Sequence, residues 1–333
     1  MATTYQHIAQ NKRRTWLLVL LFPVVFAVLT GVVLGGVLFF TGGVHILHIT
    51  NDGIPLSTTQ TALIESLSIS FLVALICWAV ACIWMAVSYF TGDKLLLNSA
   101  DAIPVTKADQ PEIYRLVENL CISRGLPLPR IYIMDDESLN AFATGRDPQH
   151  ASLALTKGIV QKLDRAELEG VIAHELSHIE NRDIRLMLIT VAGISFFTFA
   201  GELCFRIGLS SRYSRSNKNS GAGIFLILGI ICCLYGLLFA PLIRLAISRK
   251  REYLADATGA LMTRNPQALA SALRKISQDS RVEALDKRAS MAAMCIENPL
   301  EKENLFAWMS GIWATHPPIQ KRIAALEEMN RGY

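Results

Sequence analysis

The chain has 333 residues, 52% of them hydrophobic and only 18% charged, with 32 Lys and Arg against 28 Asp and Glu for a formal net charge of +4. A soluble domain carries about 25% charged residues, and a disordered chain is charged and poor in apolar side chains, so the composition excludes disorder and argues against a plain soluble enzyme. No basic stripe is interleaved with aromatics, so no nucleic-acid partner is expected.

Residues 1–15 carry Lys12, Arg13 and Arg14 immediately before the first apolar block. That block, Trp16–Phe40, and the second, Leu67–Phe90, are uncharged, and each exceeds the roughly 20 residues that cross a bilayer. Residues 16–90 therefore predict a two-helix membrane anchor with an outward loop at about 41–66. The loop holds Asp52 and Glu65 but no Lys or Arg, and Lys94 follows the second block. The positive-inside preference then puts residues 1–15 and everything after the second block in the cytoplasm. The first block is longer than the apolar region of a cleaved signal peptide and is followed by another span. His45 and His48 lie in the loop with no further ligand-type residue to complete a metal site, and they are read as ordinary side chains.

Residues 91–185 read as mixed α/β. The spacing predicts a helix over Gln110–Arg124, opened by Pro111 and stopped by Gly125-Leu-Pro-Leu-Pro129. Arg130–Met134 alternates as a strand does, and Asn140–Thr144 and Ala151–Thr156 are further short strands about a Gly-Arg-Asp-Pro turn. A helix over Asp164–Asp183 follows, with Asp164 and Glu167 spaced as a capping box.

Two more apolar blocks lie in residues 186–243. Leu186–Gly201 is of marginal length, with Glu202 and Arg206 placed to pair along one helix face; Ala222–Ile243 is long enough to span. Arg212, Arg215 and Lys218 separate them, against the positive-inside preference if both cross. Residues 244–333 read as helices, one opened by Asn265-Pro266 and the last by Pro317-Pro318. The seven cysteines have no CxxC spacing, and five (Cys77, Cys82, Cys204, Cys232 and Cys233) sit in apolar blocks, which suits a reducing compartment rather than a disulfide framework.

The chemistry lies in His174-Glu175-Leu-Ser-His178, an HExxH motif. Two histidines four apart on a helix share one face and can hold one zinc ion, while the intervening glutamate stands beside the metal as general base for an activated water. A chain of this length and composition contains such a motif by chance roughly once in a hundred cases. The motif is expected on the polar face of an amphipathic helix whose other face carries Leu168, Val171, Ile172, Leu176 and Ile179. A third ligand must come from elsewhere. Glu252 and Asp256, also four apart, offer one carboxylate to the metal and one to orient a histidine. Since both sides of blocks three and four must reach one metal, either both blocks span or neither does, and the length of the fourth favours two spans.

His174-Glu-Leu-Ser-His178, Asn181-Arg-Asp183, Glu252-xxx-Asp256, Asn140-Ala-Phe-Ala-Thr-Gly145, Leu168-Glu-Gly170, and Thr315-His-Pro-Pro318 with Arg322 together resemble the M48 family of membrane zinc metalloproteases, nearest to a bacterial heat-shock member. The similarity covers most of the chain. It implies a mainly α membrane protein: four hydrophobic helices plus a gluzincin-type α+β zinc-protease domain with a small sheet. It implies one Zn2+ per chain on His174, His178 and Glu252, with Glu175 as general base and Asp256 behind the ligands. It implies that Asn140, Ala141, Phe142, Ala143 and Thr144 form an edge strand that binds extended substrate, and that His316 and Arg322 stand near the metal as candidate catalytic groups. Asp183 receives no role.

The implied function is a multi-pass endopeptidase of the bacterial plasma (inner) membrane, with its site on the cytoplasmic face. Its partners are the lipid bilayer and polypeptides, above all misfolded membrane proteins in quality control and stress response. Three other readings are weaker. An inactive scaffold or membrane chaperone would have lost Glu175 or a ligand. An intramembrane site-2-type protease would carry the motif inside a span, yet Glu167, Glu169, Glu180, Arg182, Asp183 and Arg185 crowd it. A transporter would carry polar groups in its spans, whereas blocks one, two and four are uncharged.

Overall fold

The computed structural model describes residues 4–50, 57–213, 221–246, 249–278 and 317–331. They fall into two compact units, residues 16–87 in one and residues 1–15 with 88–333 in the other.

The smaller unit is built from most of helix α1 (Thr4–Thr50) and helix α2 (Ser57–Ser99), the start of α1 and the end of α2 belonging to the larger unit. Small residues let the two backbones approach: a Cβ added at Gly31 would lie 3.2 Å from the Cβ of Ala74, and one at Gly35 would lie 3.3 Å from Ser70 Oγ. Leu20, Val32, Phe71 and Ile83 point outward with more than half of their surface exposed, an arrangement suited to lipid and not to water. Both helices overrun the apolar blocks. The expected loop at 41–66 is helical at both ends, leaving 51–56 outside the described residues. A helix once nucleated extends at little cost into flanking polar sequence.

In the larger unit, strand β1 (Ala102–Pro104) is followed by helix α3 (Pro111–Arg124) and strands β2 (Arg130–Met134), β3 (Ala141–Gly145) and β4 (Ala151–Thr156). The sheet order is β1-β2-β4-β3, with β2 and β4 parallel and the outer pairs antiparallel. Proline at the first turn of α3 and Gly125 at φ +64° just past its end fix that helix as the sequence predicts. A short helix α4 (Lys157–Lys162) leads to α5 (Arg165–Glu180). Asp164 caps α5 in a reciprocal box with Glu167 at 2.9 Å in each direction.

Helix α5 ends three residues earlier than predicted, because the chain turns at Arg182, which sits at φ +58°. Helices α6 (Asp183–Tyr213) and α7 (Gly221–Ala246) then pack antiparallel: Phe205 meets Gly229, Gly201 meets Cys232, and Phe197 meets Tyr235. Glu202 and Arg206 pair along α6 as their spacing suggests. Helices α8 (Arg249–Thr263), α9 (Pro266–Ile276) and α10 (Ile319–Arg331) close the unit. Asn265 caps α9 by accepting from Ala268 N–H at 3.1 Å.

One apolar core joins Leu153 and Leu155 of β4 to Val171, Leu176 and Ile179 of α5, Leu269 and Leu273 of α9, and Leu326 of α10. Three helical stretches among the described residues are long and apolar enough to cross a membrane: Ile8–Gly36, Leu67–Ser99 and Asp183–Ser210, with a shorter apolar stretch at Phe225–Gly236 inside α7. The protein is thus a mainly helical membrane protein with a small mixed sheet.

Candidate metal centre

Helix α5 is buried on both faces. Its polar stripe, His174, Glu175 and His178, does not meet solvent but packs against α8. The two helices approach closely because residue 259 is glycine. A Cβ there would stand 3.0 Å from the His174 backbone nitrogen and 3.2 Å from its Cα. This contact brings Glu252, in the first turn of α8, up to the two histidines.

Ligand-type atoms of His174, His178 and Glu252 lie within 4.8 Å of one another. The two Nε2 atoms are 3.2 Å apart. Glu252 places Oε2 3.8 Å from His174 Nε2 and Oε1 3.7 Å from His178 Nε2. His178 Nδ1 faces Asp183 Oδ2 at 3.0 Å, and since a carboxylate only accepts, Nδ1 carries the proton and Nε2 the lone pair. His174 Nε2 faces the donor Nη2 of Arg322 at 3.4 Å, so it too presents a lone pair. Two Nε2 atoms 3.2 Å apart beside a carboxylate call for a cation shared among them, a proton or a metal ion. Two nitrogens on one tetrahedral zinc, bonded at about 2.0–2.1 Å, lie about 3.3 Å apart, so the donor set and its spacing fit that ion.

The same excess of negative charge acts on His178. Burial alone would lower its pKa, but the hydrogen bond it donates to Asp183 and the charges of Glu252, Asp183 and Glu175 outweigh burial and push it up to about 9. A centre that attracts a proton this strongly also attracts a metal cation.

Behind His174 and His178 stand two carboxylates. Asp256 Oδ1 lies 3.0 Å from His174 Nδ1, close but off the N–H direction. Arg322 of α10 grips Asp256 with both arms of its guanidinium, and its Nη1 stands 3.8 Å from Glu252. Burial would raise the Asp256 carboxyl, but the Arg322 charge and hydrogen bonds, with His174, hold it down at about 2. Burial would likewise lower Arg322, yet Asp256, Glu252 and Glu175 keep it above its ordinary value. The second carboxylate, Asp183, belongs to the Asn181-Arg-Asp183 motif and has no physical role legible from sequence; here it faces His178 Nδ1. Arg251, beside Glu252, donates to its Oδ1 at 3.0 Å.

The five-residue segment Asn140–Thr144 is buried throughout, and the strand itself is shifted by one residue to Ala141–Gly145. Strand β3 is the end strand of the sheet, paired with β4 alone among the described strands, and α5 packs on it. Ala141 and Ala143 face the main core and Phe142 a second cluster with Leu97 and Leu188. Asn140 stands just before the strand, its N–H donating to Thr156 Oγ1 at 3.0 Å. His316 lies outside the described residues.

A family model described as peptidase family M48 matches residues 107–330. A protease HtpX homolog of Bacteroides fragilis is 41% identical over 330 residues, 96% of this chain and 97% of that protein. One from Ligilactobacillus salivarius is 38% identical over 98% of this chain and 99% of that protein. The crystal structure of S. mikatae Ste24p aligns with a TM-score of 0.45 at 20% identity, over 77% of this chain and 58% of that one.

Proposed function

The chain belongs to peptidase family M48 and is a membrane metalloprotease, and from that premise we propose that it is an endopeptidase with one Zn2+ per chain, held by His174, His178 and Glu252. The observation that carries this reading is the pair of Nε2 atoms 3.2 Å apart, closed on the third side by Glu252. Zinc in such a site supplies Lewis acidity, polarising a carbonyl oxygen and making water a better nucleophile near neutral pH.

The remaining work falls to side chains. Glu175, buried between the two histidines in sequence, takes a proton on its carboxylate from the attacking water and returns it to the leaving amine. Asp256 and Asp183 hold the two imidazole rings from behind. Arg322 serves through Asp256, on which two of its nitrogens are engaged. The end strand β3, buried throughout in this structure, is proposed on family resemblance to receive an extended polypeptide through its backbone, which suits substrates of varied sequence because the strand's own side chains are committed to packing. His316 is proposed as a further group at the site on family resemblance alone.

Lys12, Arg13, Arg14 and Lys94 flank the first two spans and support a cytoplasmic catalytic unit in the bacterial inner membrane. In this arrangement residues 16–90 anchor the chain, 91–185 and 244–333 form the catalytic part, and 186–243 cross and return. The union of His178 with Glu252 across α6 and α7 requires both ends of that hairpin on one face. Asp183, which touches His178, is also the first residue of a candidate span. Polypeptides leaving the bilayer therefore meet the site at once, which supports misfolded membrane proteins as substrates and quality control as the role. The test is metal analysis of the detergent-purified protein: one zinc per wild-type chain, and less than a tenth of that in His178→Ala and Glu252→Ala. Full zinc occupancy in both variants would reject the ligand assignment.

A further inference from the structure

Asn11 lies in the first turns of α1, outside the residues matched by the family model, yet it is buried against the centre. Its Nδ2 donates to Asp183 Oδ1 at 2.7 Å and to the Asn181 carbonyl at 3.0 Å. Thr15 Oγ1 caps the Asn11 carbonyl at 2.8 Å, one turn on. Asp183 thereby receives a complete set of partners: Asn11 and Arg251 on Oδ1, and His178 on Oδ2. The turn that brings it back toward His178 runs through Arg182 in the left-handed region, which a non-glycine residue adopts only when its surroundings hold it there. Asn11 binds both sides of that turn, at Asn181 and at Asp183.

We propose that Asn11 is a positioning residue of the metal centre: through Asp183 it sets the ring orientation of His178, so the first turns of α1 govern how tightly the metal is held. The inference rests on His178 being a ligand. Groups behind a ligating histidine change metal affinity by about 10- to 100-fold when removed. Asn11 acts one step further out, so Asn11→Ala belongs at the lower end of that range.

The test uses the full-length protein in detergent, stripped with a chelator and titrated with zinc chloride against a chromophoric competitor. Asn11→Ala is expected to raise the zinc dissociation constant about tenfold, Asn11→Ser by less, and Asp183→Asn by about 10- to 100-fold. Adding Asn11→Ala to Asp183→Asn is expected to change it by less than about twofold, because the effect passes through the Asp183 carboxylate. A merely structural Asn11 would lower the melting temperature of the zinc-free protein while leaving the dissociation constant at the wild-type value in both Asn11 variants, and that result overturns the inference, as does full additivity in the double variant. Wild-type zinc affinity in His178→Ala removes the metal-centre reading itself, and this inference with it. Impaired binding in His178→Ala with wild-type binding in Asn11→Ala overturns the inference alone.

Discussion

Arg322 grips Asp256 in a two-pronged ion pair, Nε at 2.9 Å from Oδ2 and Nη2 at 2.7 Å from Oδ1, across 66 residues of sequence. Both side chains are almost wholly buried. The fork fixes the plane of the carboxylate that stands behind His174, and it ties α10 to α8. Removing one partner of such a pair leaves an uncompensated charge in the interior, at a cost of roughly 3–5 kcal/mol. Arg322→Met is therefore expected to lower the melting temperature in detergent sharply and to abolish cleavage. Arg322→Lys, which keeps the charge but not the fork, is expected to fall between the two. Thermal unfolding and peptide cleavage on the same preparations check both.

Gly259 sets the distance between the two helices that carry His174, His178 and Glu252. A methyl group at this position meets backbone atoms of His174 at 3.0 and 3.2 Å, and backbone cannot swing aside as a long side chain can. Gly259→Ala is expected to destabilise the protein by about 1–3 kcal/mol and to weaken zinc binding by moving Glu252 away from the histidines. Equilibrium zinc titration separates the second effect from the first.

Metal and fold should be linked. A ligand bound only by the folded state stabilises it by about 2.7 kcal/mol at 100 times its dissociation constant. Chelation by phenanthroline is expected to stop cleavage and to lower the melting temperature, and added zinc is expected to restore both. Calorimetry or a thiol-reactive dye, read with and without chelator, supplies the comparison.

Burial pushes the Cys121 thiol up to about 11. Thiols react as thiolates, so at pH 8 its alkylation is expected to be negligible in the folded protein and rapid after denaturation. Peptide mapping after a timed maleimide pulse measures it.

Much of this was written locally in the sequence. The HExxH spacing maps two histidines to one helical face regardless of what surrounds the helix. Asp164 with Glu167, and Asn265 with Pro266, are capping patterns whose partners lie within three or four residues, and the structure forms both. What the sequence hid was set by distant partners. The polar face of α5 reads as a surface, and only the arrival of α8 and α10 buries it. The family resemblance puts Arg322 near the metal, but its fork on Asp256 exists only once α10 docks and sinks the side chain to 1% exposure. Asp183 reads as the tail of a helix, because the break at Arg182 has no glycine or proline to announce it. Asn11 sits 172 residues from the carboxylate it holds. Strand β1, three residues ending in Pro104, is too short to show a period.

In the proposed mechanism Glu175 moves the proton while His174, His178 and Glu252 hold the metal. The most direct measurement pairs zinc content with peptide cleavage for wild type and Glu175→Gln, purified side by side in detergent. One zinc per chain is expected in both proteins, with a loss of at least about 100-fold in kcat for the variant. Undiminished cleavage by a zinc-replete Glu175→Gln protein would contradict it.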